Sequence, residues 1–145
     1  MSRRMQGFTL LEMLLSLTII AVLAGLSLPV YMRLQQAQDL DGSVQKVVDD
    51  LRRAQLYSRD GYMDSTWGVH VATGAVTIFQ GNSFATRNST YDEVKSLPGA
   101  IVITSPTDIW FSKLYAQPDT ASIITLTVAG MQKTIQVNSY GMVDF

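Results

Sequence analysis

Glu12 is the one charged side chain between Arg4 and Arg33, and it stands near the start of a long apolar run. A carboxylate in such a run costs several kcal/mol on transfer to a bilayer, so it is a functional candidate by default. Little else in the chain invites chemistry. There is no cysteine and one histidine, His70, which removes thiolate and multi-histidine metal sites. Asp39, Asp41 and Asp49 surround Gly42 without the register of a calcium loop. Serines and threonines are plentiful, but none sits in a nucleophile-elbow pattern, and glycine-rich phosphate loops are absent. His70 alternates with Trp67, Val69 and Val71 and is expected as an exposed strand residue. Trp110, Phe111 and Tyr115 read as core or interface. Asn88-Ser89-Thr90 matches a glycosylation sequon that matters only in a host using one. No catalytic residue, metal site or cofactor is nominated, and the chain is expected not to be an enzyme.

The elements that position Glu12 come first in the chain. Residues Phe8 to Met32 form an apolar segment behind the basic pair Arg3 and Arg4. About 20 apolar residues at about 1.5 Å each span a bilayer core, and the positive-inside bias keeps the basic end in the cytoplasm. Three readings compete. A cleaved signal peptide would end at a small-residue site such as Val22-Leu23-Ala24, yet the apolar run continues through Leu28 and Val30. A plain membrane anchor accounts for the length and leaves Glu12 unexplained.

The third reading starts from Gly7-Phe8-Thr9-Leu10-Leu11-Glu12, set between a short basic leader and the apolar run. This arrangement resembles the processing motif of type IV prepilins and type II secretion pseudopilins. The resemblance implies that a prepilin peptidase cuts between Gly7 and Phe8 and N-methylates Phe8. It further implies that Glu12 pairs with the Phe8 amine of a neighbouring subunit, a pairing favoured by low dielectric. Implied partners are the peptidase, other pilin or pseudopilin subunits, an inner-membrane assembly platform, and the lipid bilayer before assembly. The implied location is the bacterial inner membrane, crossed once with the C-terminal part exported, and then a pilus or pseudopilus. Pro29 lacks the amide that would bond the Gly25 carbonyl, so Gly25 and Pro29 mark an expected kink or loosened stretch over Leu26–Leu28.

Beyond Met32 the pattern becomes periodic. Leu34, Ala37, Leu40, Val44, Val47, Val48, Leu51, Ala54 and Tyr57 recur at steps of three and four, which predicts one buried helical stripe. Asp49 and Asp50 lie within pairing reach of Arg53 on the same helix. Asp41-Gly42-Ser43 is the weak point, and Gly61 is placed to stop the helix. From Tyr62 onward the period turns to two. Strands are expected at Thr66–Val71, Ala75–Gln80, Ile101–Thr104, Ile109–Phe111, Ile123–Val128 and Thr134–Asn138, with a short edge at Met142–Phe145. Gly81–Ser96 reads as a long exposed loop.

The expected fold class is α+β and pilin-like. A long N-terminal helix, transmembrane in its first half, packs through its second half against an antiparallel β-sheet domain. The divisions are a leader over 1–7, an apolar helix over 8–32, an amphipathic continuation over 33–60 and an exported β domain over 61–145. Trp67-Gly68-Val69 and the closing pattern from Ile123 to Val143 resemble the GspH/FimT-like minor pseudopilins. The leading function is a structural or assembly subunit, minor pilin or pseudopilin, of a type IV pilus, secretion pseudopilus or DNA-uptake filament. The competing class is a membrane-anchored extracytoplasmic binding domain whose N-terminus is uncleaved or signal-peptide-like. From Gly61 onward four basic residues face six acidic ones, so direct nucleic acid binding is not favoured.

Overall fold

The computed structural model describes residues 7–104 and 107–145; the leader expected over 1–7 lies outside the described residues except for Gly7. The chain forms two compact units, Met1–Gln35 and Gln36–Phe145. A single helix, α1 (Leu10–Arg59), runs through both.

In the first unit, every described side chain from Gly7 to Gln35 is exposed. Leu10, Leu11, Leu17 and Leu23 are each more than 60 % exposed among the described residues. Among the described residues α1 is the one helix long and apolar enough to cross a membrane. Its backbone stays helical through Gly25 and Pro29, so the expected interruption at Leu26–Leu28 is not seen in the isolated chain. The helix is just as continuous through Asp41-Gly42-Ser43, where the Ser43 hydroxyl donates to the Asp39 carbonyl at 2.7 Å. The flanking Leu40, Val44, Val47 and Val48 are buried, and that packing outweighs the roughly 1 kcal/mol propensity cost of a glycine.

The second unit owns the core. Leu40, Val44, Val47, Val48, Leu51 and Ala54 on α1 form one cluster with the inward faces of two antiparallel sheets. Leu34, expected on this stripe, is 55 % exposed and belongs to the first unit, so the buried stripe begins at Leu40. The first sheet has strand order β3-β2-β1-β5, with β1 Trp67–Ala72, β2 Ala75–Gln80, β3 Asn88–Ser96 and β5 Thr107–Phe111. The second has order β4-β6-β7-β8, with β4 Val102–Thr104, β6 Ser122–Val128, β7 Met131–Val137 and β8 Val143–Asp144. The β6–β7 hairpin turns at Ala129 (φ 47°) and Gly130 (φ 81°), the two left-handed residues that a tight hairpin demands.

β3 corrects the sequence reading, which leaves Gly81–Ser96 as loop. It is an edge strand with an exposed polar start, Asn88 to Tyr91, so it shows no apolar alternation. Between the pairs Ile78↔Glu93 and Gln80↔Asn88 the strand also bulges, which breaks the period of two.

The end of α1 is tied down by Ser58, buried although polar. Its hydroxyl accepts from the Trp67 amide at 2.8 Å and donates to the Trp67 carbonyl at 3.3 Å. Its carbonyl accepts from Leu114 at 2.9 Å. Gly61, at φ 61°, takes the left-handed conformation that ends the helix. Trp67 is 2 % exposed, donates its indole N–H to the Tyr62 carbonyl at 3.0 Å, and meets the rings of Tyr57 and Tyr62.

Candidate functional site

The N-terminal turn of α1 is built by Thr9. Its hydroxyl accepts from the Glu12 amide at 3.2 Å, and its carbonyl accepts from Met13 at 3.2 Å. Thr9 is therefore the N-cap and Glu12 stands at the third helical position, the threonine-x-x-glutamate spacing of a capping box. The sequence reading assigns Thr9 no role, although the spacing that reveals it is present. Glu12 lies in the first turn, where a carboxylate is favoured by the helix dipole. The Ser16 hydroxyl donates to the Glu12 carbonyl at 2.6 Å, a back-bond that spares a hydroxyl from an apolar surface.

Gly7 and Phe8 precede the helix in non-helical backbone, both exposed, Phe8 at 78 %. A Cβ added at Gly7 would meet nothing within 4 Å. Among the described residues nothing requires a glycine there. The same holds at Gly25.

Elsewhere, charged side chains pair in ways the helix spacing does not foretell. Arg53 reaches across to Glu93 at 2.7 Å and donates to the Tyr57 hydroxyl at 2.8 Å. Asp50, fully buried, pairs with Lys95 of β3, and its Oδ2 has no hydrogen-bond partner. Burial pushes the Asp50 carboxyl above its ordinary value, opposed first by the hydrogen bond and charge of Lys95.

His70 is not the exposed strand residue expected. Its Nδ1 lies 2.6 Å from Asp108 Oδ1, and its ring stacks on Phe84 at 3.8 Å. Asp108 Oδ2 accepts from the Phe84 amide at 3.2 Å, and Arg87 covers the same phenyl ring at 3.6 Å. The group clips the 81–87 segment to the first sheet. Among the described residues no three histidine, cysteine, aspartate or glutamate side chains gather as a metal site. Phe111 is buried, whereas Tyr115 is 80 % exposed.

Residues 2–28 match the family model described as the prokaryotic N-terminal methylation motif. No curated protein and no solved structure matches the chain. The chain carries the type IV prepilin-like signature, on a long N-terminal helix followed by antiparallel sheets. That motif indicates a type IV pilin-like precursor processed by prepilin peptidase.

Proposed function

We propose that this chain is a structural subunit, a minor pilin or pseudopilin, of a type IV filament machine. The observation that carries the reading is the methylation motif at the head of an apolar helix left wholly exposed by its own chain. An uncovered apolar run of about 20 residues needs lipid before assembly and neighbouring helices after it. Cleavage falls after Gly7, Phe8 carries the methyl group, and the domain beyond the membrane is exported. Glu12 pairs with the Phe8 amine of a neighbour while its amide remains bonded to Thr9. Pro29 leaves the Gly25 carbonyl without its helical partner, so this stretch is where α1 loosens on assembly. The assembly platform and fellow subunits are the partners; the likeness to GspH/FimT-like subunits favours a minor position.

Mass spectrometry of the mature N-terminus tests the reading. A methylated Phe8 is expected; an intact Met1 or a start at Gly25 would instead favour a membrane-anchored binding domain. Glu12→Ala and Glu12→Gln should both be inserted and cut but enter filaments poorly. The glutamine variant separates charge from shape, because it keeps the cap geometry and removes the carboxylate. Normal filament incorporation of both variants refutes the pairing.

A further inference from the structure

Beyond the N-terminal motif, one surface of the second unit is built like an interface. Arg52, Gln55, Leu56, Arg59, Tyr115 and Ala116 line a groove of about 340 Å³ beside the last turns of α1. Arg52 and Arg59 stand seven residues apart on one helical face, about 10 Å along the axis. Among the described residues Arg52 has no carboxylate within salt-bridge distance and meets only the Phe145 ring, at 6.0 Å. Arg59 has Asp60 at 3.5 Å, with both side chains more than 60 % exposed, a pair worth little. Leu56 lies between Arg52 and Arg59 in sequence and is 43 % exposed; Tyr115, which also lines the groove, is 80 % exposed and its neighbour Leu114 63 %.

The wall of the groove holds a strained conformation. Leu114 (φ 72°) and Ala116 (φ 54°) are left-handed without being glycine, and they flank Tyr115. Each such residue costs on the order of 1–3 kcal/mol and persists only when held. Here Leu114 N–H donates to Ser58 O at 2.9 Å, Ala116 N–H donates to Ser112 O at 2.9 Å, and Gln55 donates to Ala116 O at 3.2 Å. Gln55 also donates to Gly141 O at 3.1 Å, fixing a second loop against the first. The strain turns an aromatic and a leucine outward beside Arg52 and the weakly paired Arg59. Exposed tyrosine with arginine is the composition of interface hot spots.

We propose that this groove docks an acidic segment of another exported filament protein, with two carboxylates on Arg52 and Arg59 and an apolar side chain against Leu56 and Tyr115. The filament reading supplies only the identity of the partner; the groove's chemistry stands apart from it. Charge complementarity selects the occupant. Two cations about 10 Å apart suit paired carboxylates, which must displace only the exposed Asp60 from Arg59, whereas a nucleic acid strand draws affinity from a longer row of cations.

The test uses the full chain in nonionic detergent and fluorescence anisotropy. Probes are a short peptide with a leucine pair flanked by glutamates, its lysine counterpart, and a single-stranded oligonucleotide. The glutamate peptide should bind, weaken with added salt, and lose about tenfold or more in affinity with the Arg52→Gln/Arg59→Gln variant. Tyr115→Ser should weaken it as well. Near-UV circular dichroism of Trp67 confirms that each variant is folded. Absent binding, binding unchanged by the arginine substitutions, equal binding of the lysine peptide, or tighter binding of the oligonucleotide each overturns the proposal. The N-terminal mass spectrum decides the filament reading separately, so failure of one is not failure of the other.

Discussion

Removing Lys95 should unmask the cost of burying Asp50. The Asp50 side chain is 0 % exposed, its Oδ1 bonds Lys95, and its Oδ2 bonds nothing. The nearby guanidinium of Arg53 is committed to Glu93 and Tyr57, so among the described residues Lys95 is the one direct donor. Stranding a buried carboxylate costs about 3–5 kcal/mol, a large share of the roughly 5–15 kcal/mol that holds a domain together. Lys95→Met should therefore lower the melting temperature at neutral pH by on the order of 10–20 °C. The chain has one escape, which is to protonate Asp50. Its folded carboxyl already lies above the ordinary value of 3.8 because of burial. Stability linked to the protonated form is thus fully present below 3.8 and is lost as pH rises through the folded value. Without Lys95 that folded value rises further, so the deficit of Lys95→Met should be large at neutral pH and shrink in mild acid. Asp50→Asn reverses the logic, because it leaves a lysine 37 % exposed that can turn to water. It should change stability by about 1 kcal/mol or less, and should rescue Lys95→Met when the two are combined. Thermal melts of the full chain in detergent, followed by near-UV circular dichroism at two pH values, provide the measurement. A Lys95→Met melting temperature equal to the parent, or a deficit identical at both pH values, refutes the reasoning.

Two further substitutions probe other parts of the second unit. Gly141→Ala places a Cβ at φ 82° against the Gln55 amide and 2.9 Å from Ala116 O. It should cost about 1–3 kcal/mol in a denaturant melt and raise hydrogen exchange in both loops bonded to Gln55. His70→Ala removes the Asp108 bond and the Phe84 stack. Exchange should quicken across residues 81–87 while the global melting temperature falls by only a few degrees, about 1 kcal/mol. Unchanged exchange there would show that Arg87 and the Phe84 amide bond to Asp108 hold the segment without His70.

The fold was legible wherever one period dominated. Leu40, Val44, Val47, Val48 and Leu51 announce the helical stripe, and Trp67, Val69 and Val71 announce β1, because burial on one face imposes the spacing. β3 escaped because an edge strand has no second neighbour to demand apolar side chains, and its bulge removes what alternation remained. Asp50 and Arg53 are within reach on the helix, yet each prefers a partner on β3. Such partners are set by tertiary packing, about which spacing along one element is silent. The groove at Arg52 and Arg59 is invisible for the same reason: Tyr115 and Gly141 reach it only through the fold.

At the N-terminus, by contrast, the signal is local, a motif over residues 2–28, and the structure adds Thr9 to the turn that holds Glu12. Thr9 satisfies one amide of the first turn, and Glu12 supplies that amide while adding negative charge where the helix dipole is positive. A cut after Gly7 would put a cation at that positive end, an unfavourable placement within one chain. On that reading Glu12 would offset it locally before any neighbour arrived. An assembling subunit would then bring its own amine to a carboxylate already held in a capped turn, so less order is lost on pairing. Glu12 in this view is a site prepared by Thr9, and its charge is the part of the motif that no other residue of the apolar helix can replace.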